Sequence, residues 1–264
     1  MTRTAIIAGA GRLPVLLAEA VEAPLVFALE GVTPSLAAEP FRLERLVPLM
    51  DRLLDEGVTQ VAFAGAVRRP RLDPEAFDPR TATLVPRIAA AMGQGDDAAL
   101  RELIAIFEDW GLSVVGAETL RPDLLPGEGV LAGAPTAGDR ADAGRAAAIL
   151  AATGPLDIGQ GCVVAGGLCL ALETLPGTAA MLEFVAATRE TPRGGVLYKA
   201  PKPGQDRRID LPAIGPETVA QAAAARLSGI VWAAGGVLVL DRAETEAAAN
   251  EAGLFLWARA ESGI

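Results

Sequence analysis

Histidine is absent from all 264 residues. That removes the side chain that most often serves as a general base near neutral pH. It also excludes a Ser-His-Asp triad and a histidine-ligated zinc site. Cysteine is scarce: Cys162 and Cys169 stand in one apolar stretch. Such a pair makes neither a disulfide framework nor a Cys-x-x-Cys redox motif, and fits buried thiols in a reducing compartment. No apolar run reaches the roughly 18 residues of a membrane span. The stretch from Met1 to Ala10 lacks the basic and long apolar segments of a secretory leader. The expected location is therefore cytoplasmic. Cations are outnumbered, 23 against 33 acids, for a net charge of −10. An acidic chain is a poor partner for nucleic acid, whose phosphates demand a basic face. Charge alone does not hold it to an anionic membrane either.

What is present is apolar: 51% of the residues are hydrophobic, though only 4% are aromatic. The length suits one large domain or two modest ones. From Thr4 to Ala8 the pattern predicts a buried strand. Gly9-Ala10-Gly11-Arg12-Leu13-Pro14 follows, then a helix over 15–21. A glycine turn that opens a helix lets backbone N–H groups approach an anion, commonly a phosphate. Gly9 and Gly11 match the start of a dinucleotide fingerprint, but Pro14 stands where its third glycine would fall. The turn reads equally as a tight strand-to-helix connection. Further strands are predicted over 25–29, 58–64 and 112–116, with helices over 48–56, 83–92 and 98–110. A basic cluster, Arg68, Arg69 and Arg71, follows the third strand. Asp96 and Asp97, after Gly93-Gln94-Gly95, can cap the helix behind them or touch a ligand. This alternation predicts a parallel sheet covered by helices, with ligands at the carboxyl ends of its strands.

The Pro- and Gly-rich stretch 122–135 marks the expected domain boundary. A Rossmann-like nucleotide-binding domain is thus expected over 1–135 and a mixed α/β catalytic domain over 136–264. In the second half an alanine-rich helix is predicted over 139–152. A hairpin follows, its strands joined by Gly166-Gly167 and ending on Glu173. Further helices are expected over 180–187, 216–226 and 241–251, with strands over 195–199, 229–233, 236–240 and 254–258. No other segment concentrates charge as Lys199-Ala200-Pro201-Lys202-Pro203-Gly204-Gln205-Asp206-Arg207-Arg208-Ile209-Asp210-Leu211-Pro212 does. Its prolines forbid a helix. Cations on such a loop can hold phosphate oxygens, and a carboxylate can hold a divalent ion or orient water. The plain alternative is a solvated connection.

Four segments together carry a resemblance: Gly9 to Pro14, Gly95-Asp96-Asp97, Asp157-Ile158-Gly159-Gln160 with Glu173 and Gly177-Thr178, and the loop 199–212. Over essentially the whole chain they resemble the UDP-2,3-diacylglucosamine pyrophosphatases of lipid A biosynthesis, the histidine-free type rather than the calcineurin-like one. The resemblance implies a two-domain Mg²⁺-dependent hydrolase with its active site between the domains. It implies cleavage of UDP-2,3-diacylglucosamine to UMP and 2,3-diacylglucosamine 1-phosphate (lipid X). An essential aspartate of the family maps onto Asp206 or Asp210, with Asp206 favoured. Lys199 and Lys202 join them as candidate catalytic residues. Gly9, Gly11, Leu13, Pro14, Asp96, Asp97, Gln160, Glu173, Thr178, Gln205 and Arg208 are the candidate substrate contacts. Asp206, Asp210 and Glu173 are the candidate metal ligands. Two positions depart from the family pattern: Ala179 after Gly177-Thr178, and Ala233 near the end of the strand 229–233, where acids are usual. The expected partners are the substrate, lipid X and at most a peripheral contact with the inner membrane; a homodimer is compatible with the sequence. Two other function classes stay open here, a nicotinamide-dependent oxidoreductase and a non-catalytic nucleotide-binding protein.

Overall fold

The computed structural model describes residues 2–67, 72–93, 96–190 and 192–260. Arg68, Arg69 and Arg71 lie outside the described residues, as do Gln94 and Gly95. The chain forms two compact units. One holds residues 1–122 with 206–210, the other 123–205 with 211–264.

The first unit runs β1 (Thr4–Ala8), α1 (Leu13–Ala20), β2 (Leu25–Leu29), β3 (Glu39–Phe41), α2 (Leu46–Asp55) and β4 (Gln60–Ala64). It continues through α3 (Pro79–Ala82), α4 (Val85–Met92), α5 (Asp96–Asp109), β5 (Ser113–Val115) and α6 (Ala117–Leu120). All strands are parallel, in the order β3-β2-β1-β4-β5. That is the order of a doubly wound sheet, with its ligand side at the carboxyl ends. β1 lies at the centre and all five of its residues are buried, which is why it reads as an unbroken apolar run. Leu46, Met50 and Leu53 of α2 and Ile104 and Phe107 of α5 pack on Ala5, Ile7 and Val61. The strand β3 was not expected. It is a three-residue edge strand containing Pro40, too short and too polar to announce itself.

The second unit runs β6 (Gly129–Ala132), α7 (Ala137–Thr153), β7 (Gly161–Ala165), β8 (Leu168–Leu172), α8 (Gly177–Thr188) and β9 (Val196–Lys199). It continues through β10 (Ala213–Ile214), α9 (Pro216–Ala224), β11 (Gly229–Ala233), β12 (Leu238–Val239), α10 (Arg242–Ala252) and β13 (Phe255–Arg259). Six strands form a mixed sheet in the order β6-β13-β11-β9-β7-β8. β9, β11 and β13 are parallel; β6 and the β7–β8 hairpin are antiparallel to their neighbours. The sheet does not continue into that of the first unit. Ala143, Ala146 and Leu150 of α7 cover one face, against Val164, Tyr198 and Val231. Met181 and Leu182 of α8, with Val219 and Ala222 of α9, cover the other, against Leu197, Ile230 and Trp232. Alanines dominate these helices because their short side chains let helix and sheet approach closely.

Two expectations change here. The stretch 122–135 is not wholly irregular: β6 pairs with β13, and the residues from Asp123 on belong to the second unit. The strand expected over 236–240 is only β12, which pairs with β10 in a separate two-stranded ribbon. Polar groups fix the remaining joints. Thr136 and Asp139 form a capping box at the start of α7. Asp142 accepts from the amides of Gly166 and Gly167 at 2.9 and 2.7 Å, which holds the hairpin turn.

Candidate active site

In the second unit the site is built at the carboxyl end of β9. The register of β9 between β7 and β11 pairs Lys199 with Gly161 and Trp232. The chain leaves the sheet there, and Lys199 is buried, 5% exposed. Its ammonium donates to Thr178 Oγ1 at 2.7 Å and to the Ala213 carbonyl at 3.4 Å. Thr178 Oγ1 in turn donates to Glu173 Oε2 at 3.0 Å. The Lys199 ammonium and Glu173 Oε2 lie 3.8 Å apart. Glu173 reaches this place because its amide donates to the Gly161 carbonyl at 2.8 Å, just past β8. A Cβ at Gly159 would lie 2.1 Å from the Glu173 carbonyl oxygen, so only glycine lets these segments meet.

The loop after β9 is pinned to the same unit by backbone and proline contacts. Ala200 N–H donates to the Gln160 carbonyl at 3.0 Å. Gln205, 8% exposed, accepts on Oε1 from Gln160 Nε2 and from the Lys202 amide, both at 2.9 Å. Lys202 Nζ pairs with Asp157. The ring of Pro203 abuts Gly154 so closely that a Cβ there would lie 2.4 Å from its Cδ. Lys199, Glu173 and Thr178 are therefore brought together in one polar group, and Lys202, Gln160 and Gln205 in a second, the two tied by the Ala200–Gln160 backbone bond. Asp157 joins them; its neighbourhood to Gln160 was visible in the sequence, its pairing with Lys202 was not.

Residues 206–210 belong to the first unit. Ile209 packs against the core formed by α2 and α5. Arg208 holds Asp206 by a fork: Nε donates to Oδ1 at 3.0 Å and Nη2 to Oδ2 at 2.7 Å, while the Arg208 amide also donates to Oδ1 at 3.0 Å. The third arm of the guanidinium, Nη1, donates to Glu108 Oε1 at 2.7 Å. Hydrogen bonds from Arg208 hold the Asp206 carboxyl below its ordinary range, and burial opposes them only in part. Asp206 is thus an anion at neutral pH. Glu108 carries no signal in the sequence, since it is one acid among several on the polar face of α5. Asp210 is half-buried in the same segment.

The glycine turn also lies in the first unit. Gly9 N–H donates to the Ala64 carbonyl at 2.7 Å and Ala10 N–H to the Ala66 carbonyl at 2.8 Å. A Cβ at Gly9 would meet the Ala66 oxygen at 2.6 Å. Gly9 is therefore required by the close approach of two backbones after β1 and β4. Gly11 has φ +96° and faces open space. Leu13 and Pro14 begin α1; Pro14 is buried and Leu13 half-buried. No side chain caps α1. Asp96 and Asp97 are the first two residues of α5, inside the helix rather than ahead of it.

Among the described residues no group of three or more cysteines or acids gathers to hold a metal ion. Two of the three candidate carboxylates have described partners: Asp206 is held by Arg208, and Glu173 by Thr178 with Lys199 nearby. The donor set does not make an all-protein cage. It does suit a magnesium ion that takes most of its oxygens from phosphates and water and one from a carboxylate.

Two family models together account for nearly the whole chain: the LpxI N-terminal domain over residues 3–124 and the LpxI C-terminal domain over 127–257. The chain belongs to the LpxI family. It is also similar to the UDP-2,3-diacylglucosamine pyrophosphatase LpxI of Caulobacter vibrioides, 40% identical over 271 residues, which spans 97% of each chain. The two LpxI models meet at 124–127, close to the division of the two units at Pro122 and Asp123. Among the described residues no helix is long and apolar enough to cross a membrane.

Proposed function

We propose that the protein hydrolyses the diphosphate of UDP-2,3-diacylglucosamine, releasing UMP and 2,3-diacylglucosamine 1-phosphate, a step of lipid A biosynthesis. The observation that carries this is the near full-length similarity to a relative of that name, across both domains. The residues suit the chemistry. Phosphoryl transfer depends chiefly on positioning and on charge stabilisation, and needs no histidine. Lys199 and Lys202 supply cations to the diphosphate from a cluster whose geometry is fixed. Arg208 supplies a third. Asp206, ionised, is the carboxylate placed to orient the attacking water or to take a divalent ion; Asp210 is its companion on the same segment. Gln160, Gln205, Glu173 and Thr178 hold the lysines and the loop in place and offer polar contacts to the substrate. The amides of Gly11 and Leu13, ahead of Pro14, are the part of the glycine turn offered to the nucleotide's phosphates, with Asp96 and Asp97 as further contacts. Mg²⁺ is proposed as the divalent ion; Asp206, Asp210 or Glu173 would hold it, and it would supply charge neutralisation at the diphosphate.

The test is release of UMP from UDP-2,3-diacylglucosamine with Mg²⁺ present, beside UDP-glucosamine without acyl chains. Fast release from the acylated compound and slow release from the other are expected. No UMP from either would refute the assignment.

A further inference from the structure

The two cysteines lie on neighbouring antiparallel strands of the hairpin. Cys162 on β7 pairs with Leu172, and Cys169 on β8 pairs with Val164; the register shifts between Val163 and Val164, leaving Leu170 over on β8. Cys162 and Val164, two residues apart, share a face of β7, so both thiols stand on the face that α7 covers. Their sulfurs are 3.8 Å apart, and the Cys169 thiol also donates to the Ala171 carbonyl at 3.7 Å. The expectation of buried thiols holds for one of them: Cys162 is buried beneath α7, whereas Cys169 is exposed. Burial, and after it the neighbouring sulfur, pushes the Cys162 thiol well above its ordinary range, so it stays protonated. Cys169 is the sulfur that a small oxidant in solution reaches. β8 is the edge strand of its sheet and holds the irregularity in the ladder, so it is the strand that can yield.

We propose that Cys162 and Cys169 are a modification site: a hydroperoxide converts them reversibly to a disulfide, which draws β8 onto β7 and disturbs Glu173. The Cys169 sulfur attacks the peroxide. An S–O bond forms and the O–O bond breaks, so Cys169 becomes a sulfenic acid and the rest of the peroxide leaves as water or an alcohol. The Cys162 sulfur then attacks the Cys169 sulfur. The S–S bond forms, and the hydroxyl leaves with the Cys162 proton as water. Two thiols have thus given two electrons and two protons to one peroxide. An S–S bond is about 2.05 Å long, so the sulfurs must close from 3.8 Å. Cys162 is fixed in the core, which leaves β8 to move. The residue after β8 is Glu173, whose amide donates at 2.8 Å to the carbonyl of Gly161, the neighbour of Cys162. A Cβ on Gly161 would collide with Glu173 Oε2, so the strands have no slack there. A pull on β8 therefore reaches Glu173, and through it Thr178 and Lys199. The bond closes a short loop and restricts the unfolded chain little, which suits a reversible signal rather than a staple. The effect on turnover rests on the function proposed above; the thiol chemistry does not.

The experiment treats the wild-type chain, Cys169→Ser and Cys162→Ala with hydrogen peroxide. Thiols are counted, intact masses measured, and amide exchange followed at Glu173. In wild type both thiols should disappear together, with the mass of two hydrogens lost, no species linking two chains, and full recovery on adding dithiothreitol. In Cys169→Ser the Cys162 thiol should survive. In Cys162→Ala the Cys169 sulfur should be captured by dimedone as its sulfenic acid. Exchange of the Glu173 amide should quicken in the oxidised protein and return on reduction. UMP release from oxidised wild type should fall by about tenfold, since an ångström of misplacement costs up to about 10²-fold. Release from peroxide-treated Cys169→Ser should stay within about twofold of the untreated variant, the scale of exposed positions. If the reduced protein releases no UMP, the proposed function fails, and the thiol count and Glu173 exchange still decide this proposal. Oxygen added to Cys169 of wild type while the Cys162 thiol survives overturns the pair, as does a disulfide between two chains. A disulfide that leaves Glu173 exchange or UMP release unchanged overturns its link to the site.

Discussion

Lys199 and Arg208 stand nine residues apart on one loop, yet they are held by opposite means. The Lys199 side chain is 6% exposed and its partners, Thr178, Glu173 and Ala213, come from three other places in its unit. Arg208 is 37% exposed and grips a carboxylate two residues away, with Glu108 as its one described distant partner. The first cluster is fixed by strand register and cannot move without disturbing the sheet. The second rests on a bidentate pair between near neighbours in sequence, with the guanidinium side 37% exposed, so a phosphate in solution can reach the guanidinium. Under the function proposed above, the difference assigns a division of labour, the lysines to hold the diphosphate and Asp206 to act on it.

The largest expected effect comes from removing that carboxylate. Asp206→Ala should fold and lose about 10²-fold or more in kcat, the scale of a positioned acid–base group. Asp210→Ala is the companion variant, and full activity in both, measured by UMP release, would reduce the segment to a structural strap. Next is Lys199→Met, which leaves Glu173 and Thr178 short of a buried partner at a cost of about 1–3 kcal/mol. Thermal unfolding should show a Tm lower by several degrees, and kcat/KM should fall with it. Loss of activity without any loss of Tm would mean that Lys199 is not fixed as described.

Arg208→Ala tests the second group through pH. Arg208 lowers the folded pKa of Asp206 below its unfolded value. The resulting stability is present above the unfolded value, about 3.9, and is lost as pH falls through the lower folded value. Without Arg208 the carboxyl returns upward, so the acid limb of kcat should move to higher pH. The variant should also be less stable than wild type above about pH 4, and the difference should vanish as pH falls through the folded value. An acid limb that stays in place would show that Asp206 does not govern it. The smallest effect is expected from Glu108→Gln, because Glu108 is 44% exposed. Its kcat should change by no more than about twofold, as for most exposed pairs. A tenfold loss would show that the cluster is stiffer than its exposure suggests.

Most of the fold was legible because β1, β4 and β11 are predominantly apolar and the two apolar strands of the hairpin are joined by Gly166-Gly167. β3 was hidden because it is a three-residue edge strand containing Pro40, and β6 because its four residues, Gly-Val-Leu-Ala, lie inside a Pro- and Gly-rich stretch. Lys199, Glu173 and Thr178 were legible as chemistry-bearing residues, but their hydrogen bonds depend on the register of β9 and could not be read. The Gly9 signal pointed to an anion site, whereas its backbone contact with Ala66 supplies a sufficient steric reason for glycine. Glu108 was invisible, since its partner lies a hundred residues further on.

The division of labour is tested most directly by a single-turnover measurement on a preformed complex. Wild type and Asp206→Ala are each loaded with UDP-2,3-diacylglucosamine before Mg²⁺ is added, and both bound substrate and released UMP are followed. The account predicts equal loading, because Lys199 and Lys202 remain in place, and UMP from wild type alone. Equal UMP from both proteins, or a variant that fails to load, would contradict it.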